Sequence, residues 1–317
     1  MKRFLFLFFP LFLFSVDFDC IIVGTSPFSL FEALYQSHLG KKVLILEECT
    51  ECGGAWKSIT ICDIPHVDLG CHQIGQSMEL KSFLEEYAGC KMVCMNNPLH
   101  PQGYYFSQGS FELIDHLLQL IQATDIVLLT NHKAETVSFD PLEKTATVQT
   151  KDRTFTTQKL IVTPMSCIDF TPQTQDFAKS KYYHLYLLIQ DSTPFRFTYR
   201  SGVGNGISRL MNLTPFVSLP DSDQQLIAIQ TTDARNLTNG QGYLDTLKGL
   251  HLIDSSASIL KAESYIYEAG SFYMGMAQKI EAEGVIEILQ TGNFTALANY
   301  IERWKTVLKP YAEVMSR

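Results

Sequence analysis

Basic charge is scarce in this chain: 25 lysines and arginines stand against 33 aspartates and glutamates, giving a net charge of −8 and an isoelectric point near 5.5. A phosphate backbone demands a basic face, so nucleic acid is excluded as a partner class. No block of like charge exceeds three residues, no fixed-period repeat recurs and no low-complexity linker interrupts the sequence. Charged arms and solenoids are thereby excluded. Nor is there an apolar run of the about 20 residues that a membrane-crossing helix needs. The longest, Phe4–Phe14, follows Lys2 and Arg3 and contains Pro10. It fits the charged start and apolar stretch of a secretory signal, but only Ser15 and Val16 are available as a small-residue cleavage site. Residues 1–16 are therefore a signal, an uncleaved segment that touches a membrane, or a misassigned start. The first two readings go with export or membrane association, the third with the cytoplasm.

Eight cysteines are present: Cys20, Cys49, Cys52, Cys62, Cys71, Cys90, Cys94 and Cys167. In an exported chain they would permit disulfides, whose connectivity the sequence does not fix. Cys49-x-x-Cys52, with Cys62, Cys71 and His72 downstream, has the beginnings of a zinc site or a redox pair. The second paired spacing of a zinc ribbon is absent and Cys20 sits inside an apolar run. The cysteines read as structural or free thiols, and no metal site is expected. Sequons at Asn212, Asn236 and Asn293 matter only on a eukaryotic secretory route, and Pro215 weakens the first.

Apolar residues make up 46% of the 317, and a mean hydropathy of +0.03 describes a globular chain able to bury one large core or two smaller ones. Its folded part opens at residue 17. Cys20-Ile21-Ile22-Val23 is an uninterrupted apolar run, as expected of a strand buried on both faces. Gly24 marks a sharp turn. Ser26 and Pro27 read as the N-cap and first position of a helix, and Phe28, Phe31, Leu34 and Tyr35 recur at helical spacing before Gly40. Lys42–Leu46 is a second buried strand, with Glu47 at its carboxyl end. Strand, turn, helix, strand and acid in this order open a dinucleotide-binding unit, with pyrophosphate at the helix N-terminus and a carboxylate on the ribose hydroxyls. The loop itself is degenerate, because Ser26 and Ser29 stand where glycines are usual. Ser29 is small enough for close helix–strand packing. Ser26 puts a side chain where backbone should approach the pyrophosphate, and its hydroxyl either donates to a phosphate or caps the helix. For this loop alone, an ordinary parallel-sheet unit stays open as a reading.

The residues after Glu47 separate these readings. "LEECTECGGAW" places Gly53-Gly54 six residues beyond the acid, and "IPHVDLGCHQI" (64–74) runs an apolar strand into Gly70-Cys71-His72. Here the chain resembles the FAD-dependent oxidoreductases that include flavin amine oxidases, protoporphyrinogen oxidase and UDP-galactopyranose mutase. Those proteins carry an acid, five residues, a Gly-Gly pair and an apolar strand entering Gly-x-His. The resemblance implies an α/β fold, with a Rossmann-like FAD-binding domain built on a parallel sheet and a smaller mixed-sheet substrate domain. It implies FAD as cofactor, with Gly24, Ser26 and Ser29 at the pyrophosphate and Glu47 at the adenosine ribose. Gly53 and Gly54 would line the phosphates, with Trp56 and Gly70 nearby. His72 is the titratable candidate near the isoalloxazine, or else a structural histidine; no catalytic base is assigned.

Residues 109–123 form an amphipathic helix, and short strands are expected over Ile126–Leu129, Ala134–Phe139, Thr145–Thr150, Thr154–Thr157 and Leu160–Val162. In the family a similar strand passes the adenine by backbone contact, which implicates Ala134. "GVIEILQTGNFTALANYIERW" (284–304) is a strand, a glycine turn and a helix. Family members end on such a unit, usually with Gly-Asp before the helix, so Gly292 and Asn293 are expected at the flavin end. Asn293 lacks the carboxylate but can hydrogen-bond, or it is simply an N-cap. Strand-like stretches at 182–190, 195–200, 207–213 and 225–232 suggest a mixed or antiparallel sheet. Phe28, Trp56 and Tyr104 are floor or core aromatics; Arg200 and Arg209 bind an anionic group or form surface ion pairs.

The expected division is 17–75, 108–168 and 284–317 for the FAD domain, and 76–107 with 169–283 for the substrate domain. The implied activity is hydride transfer from a small organic substrate to the flavin. The serines, Asn293 and the unassigned base also leave open a catalytically silent scaffold. A redox-neutral flavin enzyme of the sugar-mutase kind is a third reading, and a thiol oxidoreductase acting through Cys49 and Cys52 is the weakest. Substrate, electron acceptor and oligomeric state are not in the sequence.

Overall fold

The computed structural model describes residues 16–69, 74, 77–95, 103–163, 166, 168–171, 179–193, 196–197, 199–231, 233–238, 240–270, 284–289 and 294–315. Gly70, His72, Gly292, Asn293 and residues 1–15 lie outside them. Among the described residues no helix is long and apolar enough to cross a membrane.

β1 (Phe18–Val23) runs into a turn and then α1 (Pro27–His38), after which β2 (Val43–Leu46) returns parallel to β1. Ile21, Ile22, Leu44 and Ile45 have no exposed surface, as the apolar runs demand of strands covered on both faces. Two hairpins follow: β3 (Ser58–Ile61) with β4 (Ile64–Asp68), then, after α2 (Met78–Glu86), β5 (Met92–Met95) with β6 (Gly103–Phe106). The amphipathic segment is α3 (Phe111–Gln122), which buries Leu113, Ile114, Leu117, Leu120 and Ile121 and leads to β7 (Val127–Leu129), parallel to β2. β8 (Thr136–Asp140), β9 (Thr145–Gln149) and β10 (Thr154–Val162) form an antiparallel meander, with β11 (Asp169–Thr171) alongside β8.

The second sheet is built from β12 (Lys179–Gln190), β13 (Tyr199–Gly204), β14 (Ile207–Asn212), β15 (Gln224–Thr231) and, beyond α4 (Gly240–Gly249), β16 (Ser258–Gly270). Its order is β13-β14-β15-β12-β16 and every pairing is antiparallel. The strand expected at 195–200 begins only at Tyr199 and ends at Gly204. The chain closes with β17 (Ile286–Ile288) and α5 (Phe294–Met315).

Two strands expected at 154–157 and 160–162 are a single strand, β10. Its first half pairs antiparallel with β9, its second half parallel with β17, and β1 runs along its other edge. The run β7-β2-β1-β10-β17 is therefore parallel throughout, and the carboxyl ends of these strands share one edge of the sheet. In open α/β sheets that edge is where ligands bind.

The two ends of the chain are locked together on one side of this sheet. Trp304 on α5 is fully buried among Phe28, Phe31, Phe83 and Tyr300, with ring centroids 5.3–6.1 Å away. Its Nε1 donates to Glu32 of α1 at 2.9 Å. Glu32 has no exposed surface, and such a carboxylate is tolerable only when fully paired. It receives Gln36 Nε2 at 2.7 Å and the Arg303 guanidinium at 2.5 Å. Burial pushes the Glu32 carboxyl up, against the pull of Arg303, Gln36 and Trp304. Arg303 also meets Glu287 of β17 at 2.9 Å, and Glu287 meets Lys159 of β10 at 2.7 Å. Trp304→Ala should lower stability by about 3–5 kcal/mol, the usual range for emptying a buried aromatic site, read as a shifted urea midpoint at unchanged slope.

Candidate functional site

The site grows from the turn between β1 and α1. Gly24 has φ +90°, a conformation side chains avoid, and a Cβ built there would meet nothing within 4 Å. The turn is thus open on the side where a ligand would approach. Thr25, with no exposed surface, joins three segments. Its Oγ1 donates to Glu47 Oε2 at 2.5 Å, its amide donates to the same oxygen at 3.0 Å, and its Oγ1 accepts from the Gly53 amide at 2.8 Å. Glu47 Oε1 accepts from the Cys49 amide at 2.9 Å. The Glu47 backbone is itself fixed: its amide donates to Leu129 and its carbonyl accepts from His132. The acid is only 4% exposed, so this web supplies the hydrogen bonds that burial requires.

The question posed by Ser26 has a clear answer in this arrangement. Its Oγ accepts from the Ser29 amide at 3.2 Å and lies 2.9 Å from Ser29 Oγ, so it caps α1. Ser29 is fully buried beneath it. The second turn folds onto the first: a Cβ at Gly54 would lie 3.7 Å from the Ser26 nitrogen. At Gly53, with φ +119°, a Cβ would stand 2.9 Å from Lys57 Cα, a distance that real side chains do not reach. Beyond the turn, Asp68 anchors the end of β4. It accepts from Ser58 Oγ at 2.5 Å, from the Ser110 amide and hydroxyl at 2.9 Å each, and from the Tyr105 hydroxyl. Burial pushes the Asp68 carboxyl up while these donors pull it back.

Together these segments enclose a cavity of about 520 Å³ at the carboxyl edge of the parallel strands. Of the residues expected at a cofactor, Gly24, Ser26, Ser29, Glu47, Gly54, Trp56 and Ala134 line it, whereas Gly53 is not among the lining residues and donates its amide to Thr25 Oγ1. Gly70, His72, Gly292 and Asn293 fall outside the described residues. Phe28 lines the cavity and also stacks on Trp304, whereas Tyr104 sits apart, its hydroxyl on Met78. Arg200 and Arg209 are not among the lining residues.

Sequence reasoning missed Thr25, Lys57, Lys133, Thr163, Ser166 and a stretch of β16, Tyr265–Tyr267, all of which line the same space. Thr25 lay in plain view between two residues that were read. Tyr265 and Tyr267 come from the other sheet, and only the alternation in "ESYIYE" hinted at a strand there. Cys49 lines the cavity and Cys52 does not, and burial pushes both thiols up, the opposite of an activated pair.

No protein-family model matches the chain, and no curated protein matches it in sequence. Solved structures do match. A candidate protoporphyrinogen oxidase from Exiguobacterium sp. 255-15 superposes with a TM-score of 0.62 at 9% identity, covering 92% of this chain and 98% of its own. Putrescine oxidase bound to putrescine gives 0.61 at 13% identity over 95% and 99% of the two chains. The fold is that of the amine oxidase and protoporphyrinogen oxidase type. Cyclohexylamine oxidase from Brevibacterium oxydans IH-35A agrees, with a TM-score of 0.58 at 11% identity over 95% of this chain and all of its own.

The Thr25 contacts make a sharp prediction. Thr25→Val leaves the Gly53 amide without its acceptor and removes the hydroxyl from Glu47, so unfolding in urea should show a loss of about 1–3 kcal/mol. Thr25→Ser keeps the hydroxyl and should recover most of that loss.

Proposed function

We propose that this chain is an FAD-dependent oxidoreductase that takes a hydride from a small organic substrate. The supporting observation is the cavity at the carboxyl edge of β1 and β2, where an open glycine turn, a helix N-terminus, a buried acid and a second glycine turn converge. Its volume of about 520 Å³ lies within the ordinary range for small-molecule and cofactor sites. The residues present fit the group. The start of α1 faces the cavity with the positive end of its dipole, suited to a pyrophosphate. Glu47 Oε1 accepts one hydrogen bond and retains a lone pair for a ribose hydroxyl. Ala134, buried before β8, offers backbone at the adenine position.

When bound, the flavin would supply the hydride acceptor. The protein's part is to bind, orient and exclude water. The web about Thr25 holds Glu47 in place before any ligand arrives, so little ordering remains to be done on binding. Tyr265 and Tyr267 wall the cavity from the side of the second sheet. In this reading residues 17–75, 108–168 and 284–317 hold the cofactor, and residues 76–107 and 169–283 shape the substrate side.

Absorption spectroscopy tests the proposal. The purified protein is expected to carry flavin bands, or to acquire them at one FAD per chain on reconstitution. Colourless protein that takes up no FAD would instead identify a silent scaffold.

A further inference from the structure

The cavity has a charge imbalance that the helix start at its first turn corrects only in part. Three carboxylates (Glu47, Glu48 and Glu51) and two ammonium groups (Lys57 and Lys133) line it, whereas a dinucleotide brings a dianionic pyrophosphate. Free amides at a helix start ordinarily meet that charge. Here Pro27 has no amide hydrogen and the Ser29 amide is held by Ser26 Oγ at 3.2 Å. The Ser26 oxygen accepts in this cap and also lies 2.9 Å from Ser29 Oγ. Lys133 lies 3.9 Å from Glu48 and its side chain is 43% exposed, so its charge is both partnered and screened by solvent.

Lys57 is different. It is 7% exposed and follows directly on the Gly54–Trp56 turn. Its ammonium lies 5.9 Å from the Tyr265 ring centre, and its electrostatic neighbours are Cys49, Tyr265 and Glu51, each of which lines the cavity. Among the described residues it forms no ion pair. The ammonium donates to the Tyr265 hydroxyl, and with no ion-pair partner among the described residues its charge is turned to the cavity. Burial draws its pKa down, against the opposing pull of Cys49 and Tyr265, and the balance leaves it above the ordinary lysine value. The second glycine turn explains how it gets there. Gly53 lets the chain fold back until Lys57 Cα would be 2.9 Å from a Cβ at that position, while Gly54 rests on Ser26.

The geometry points to Lys57 as the cation that neutralises the pyrophosphate of the bound dinucleotide, taking over work that glycines and free amides at the first turn would otherwise do. This rests on the FAD reading above, and deepens it by assigning a binding residue that the sequence pattern did not mark. Lys57 reads the diphosphate and not the nucleoside.

Calorimetric titration of the full chain with FAD, ADP and adenosine tests the assignment. Lys57→Gln is expected to weaken FAD and ADP by about ten- to a hundredfold, the range for a lost charge-assisted hydrogen bond, while leaving adenosine unchanged. Lys57→Arg should restore most of the loss. Equal FAD and ADP affinities in wild type and Lys57→Gln would overturn the assignment. So would a matching loss for adenosine, which would mark a structural role. Wild-type protein that binds none of the three ligands would instead remove the FAD reading, and the assignment with it.

Discussion

The hydroxyl of Thr25 is the contact on which the site depends. It donates to Glu47 and accepts from Gly53, so one buried group ties together the turn after β1, the end of β2 and the second glycine turn. A buried carboxylate without donors would be strongly unfavourable, and here the donors are the very segments that must converge to make a cavity. The acid is thereby aimed without help from a ligand. This is preorganisation in the physical sense, with orientation fixed by folding. Ser26 fits the same logic. Capping α1 and supporting Gly54, it contributes to the shape of the wall, and the positive charge that it does not supply is concentrated at Lys57.

A second constraint acts at the scale of the fold. β17 joins the parallel sheet through β10, and α5 packs back onto α1 through Trp304 and the Glu32–Arg303 pair. Residues more than 250 positions apart in sequence are thus fixed to one sheet edge. Glu287, held below the usual carboxylate range by Lys159 and Arg303 against the opposing effect of burial, extends the link into the sheet.

Much of this was legible in the sequence where local rules and tertiary context agree. The apolar runs of β1 and β2, the Ser26-Pro27 helix start and the amphipathic face of α3 are statements about short stretches, and each formed as read. The β3–β4 hairpin was harder. Its two turn residues, Cys62 and Asp63, adopt φ of 53° and 66° without the Asn-Gly or Gly signal that usually announces such a turn. β10 was divided in two because Gln158 and Lys159 interrupt its apolar pattern; the strand continues because its halves serve different neighbours. The role of Lys57 depends on a backbone fold-back at Gly53 and on Tyr265, some 200 residues away, and no local pattern encodes that meeting.

The central claim is that two interlocked turns form a ready-made cradle for a dinucleotide. Hydrogen exchange followed by mass spectrometry, with and without FAD, tests it most directly. The account predicts that added FAD slows exchange at residues 23–30, 53–57 and 132–135, with little change at α4 or the β13–β14 hairpin. FAD that binds while leaving those three segments unprotected, and protects another surface, would contradict it.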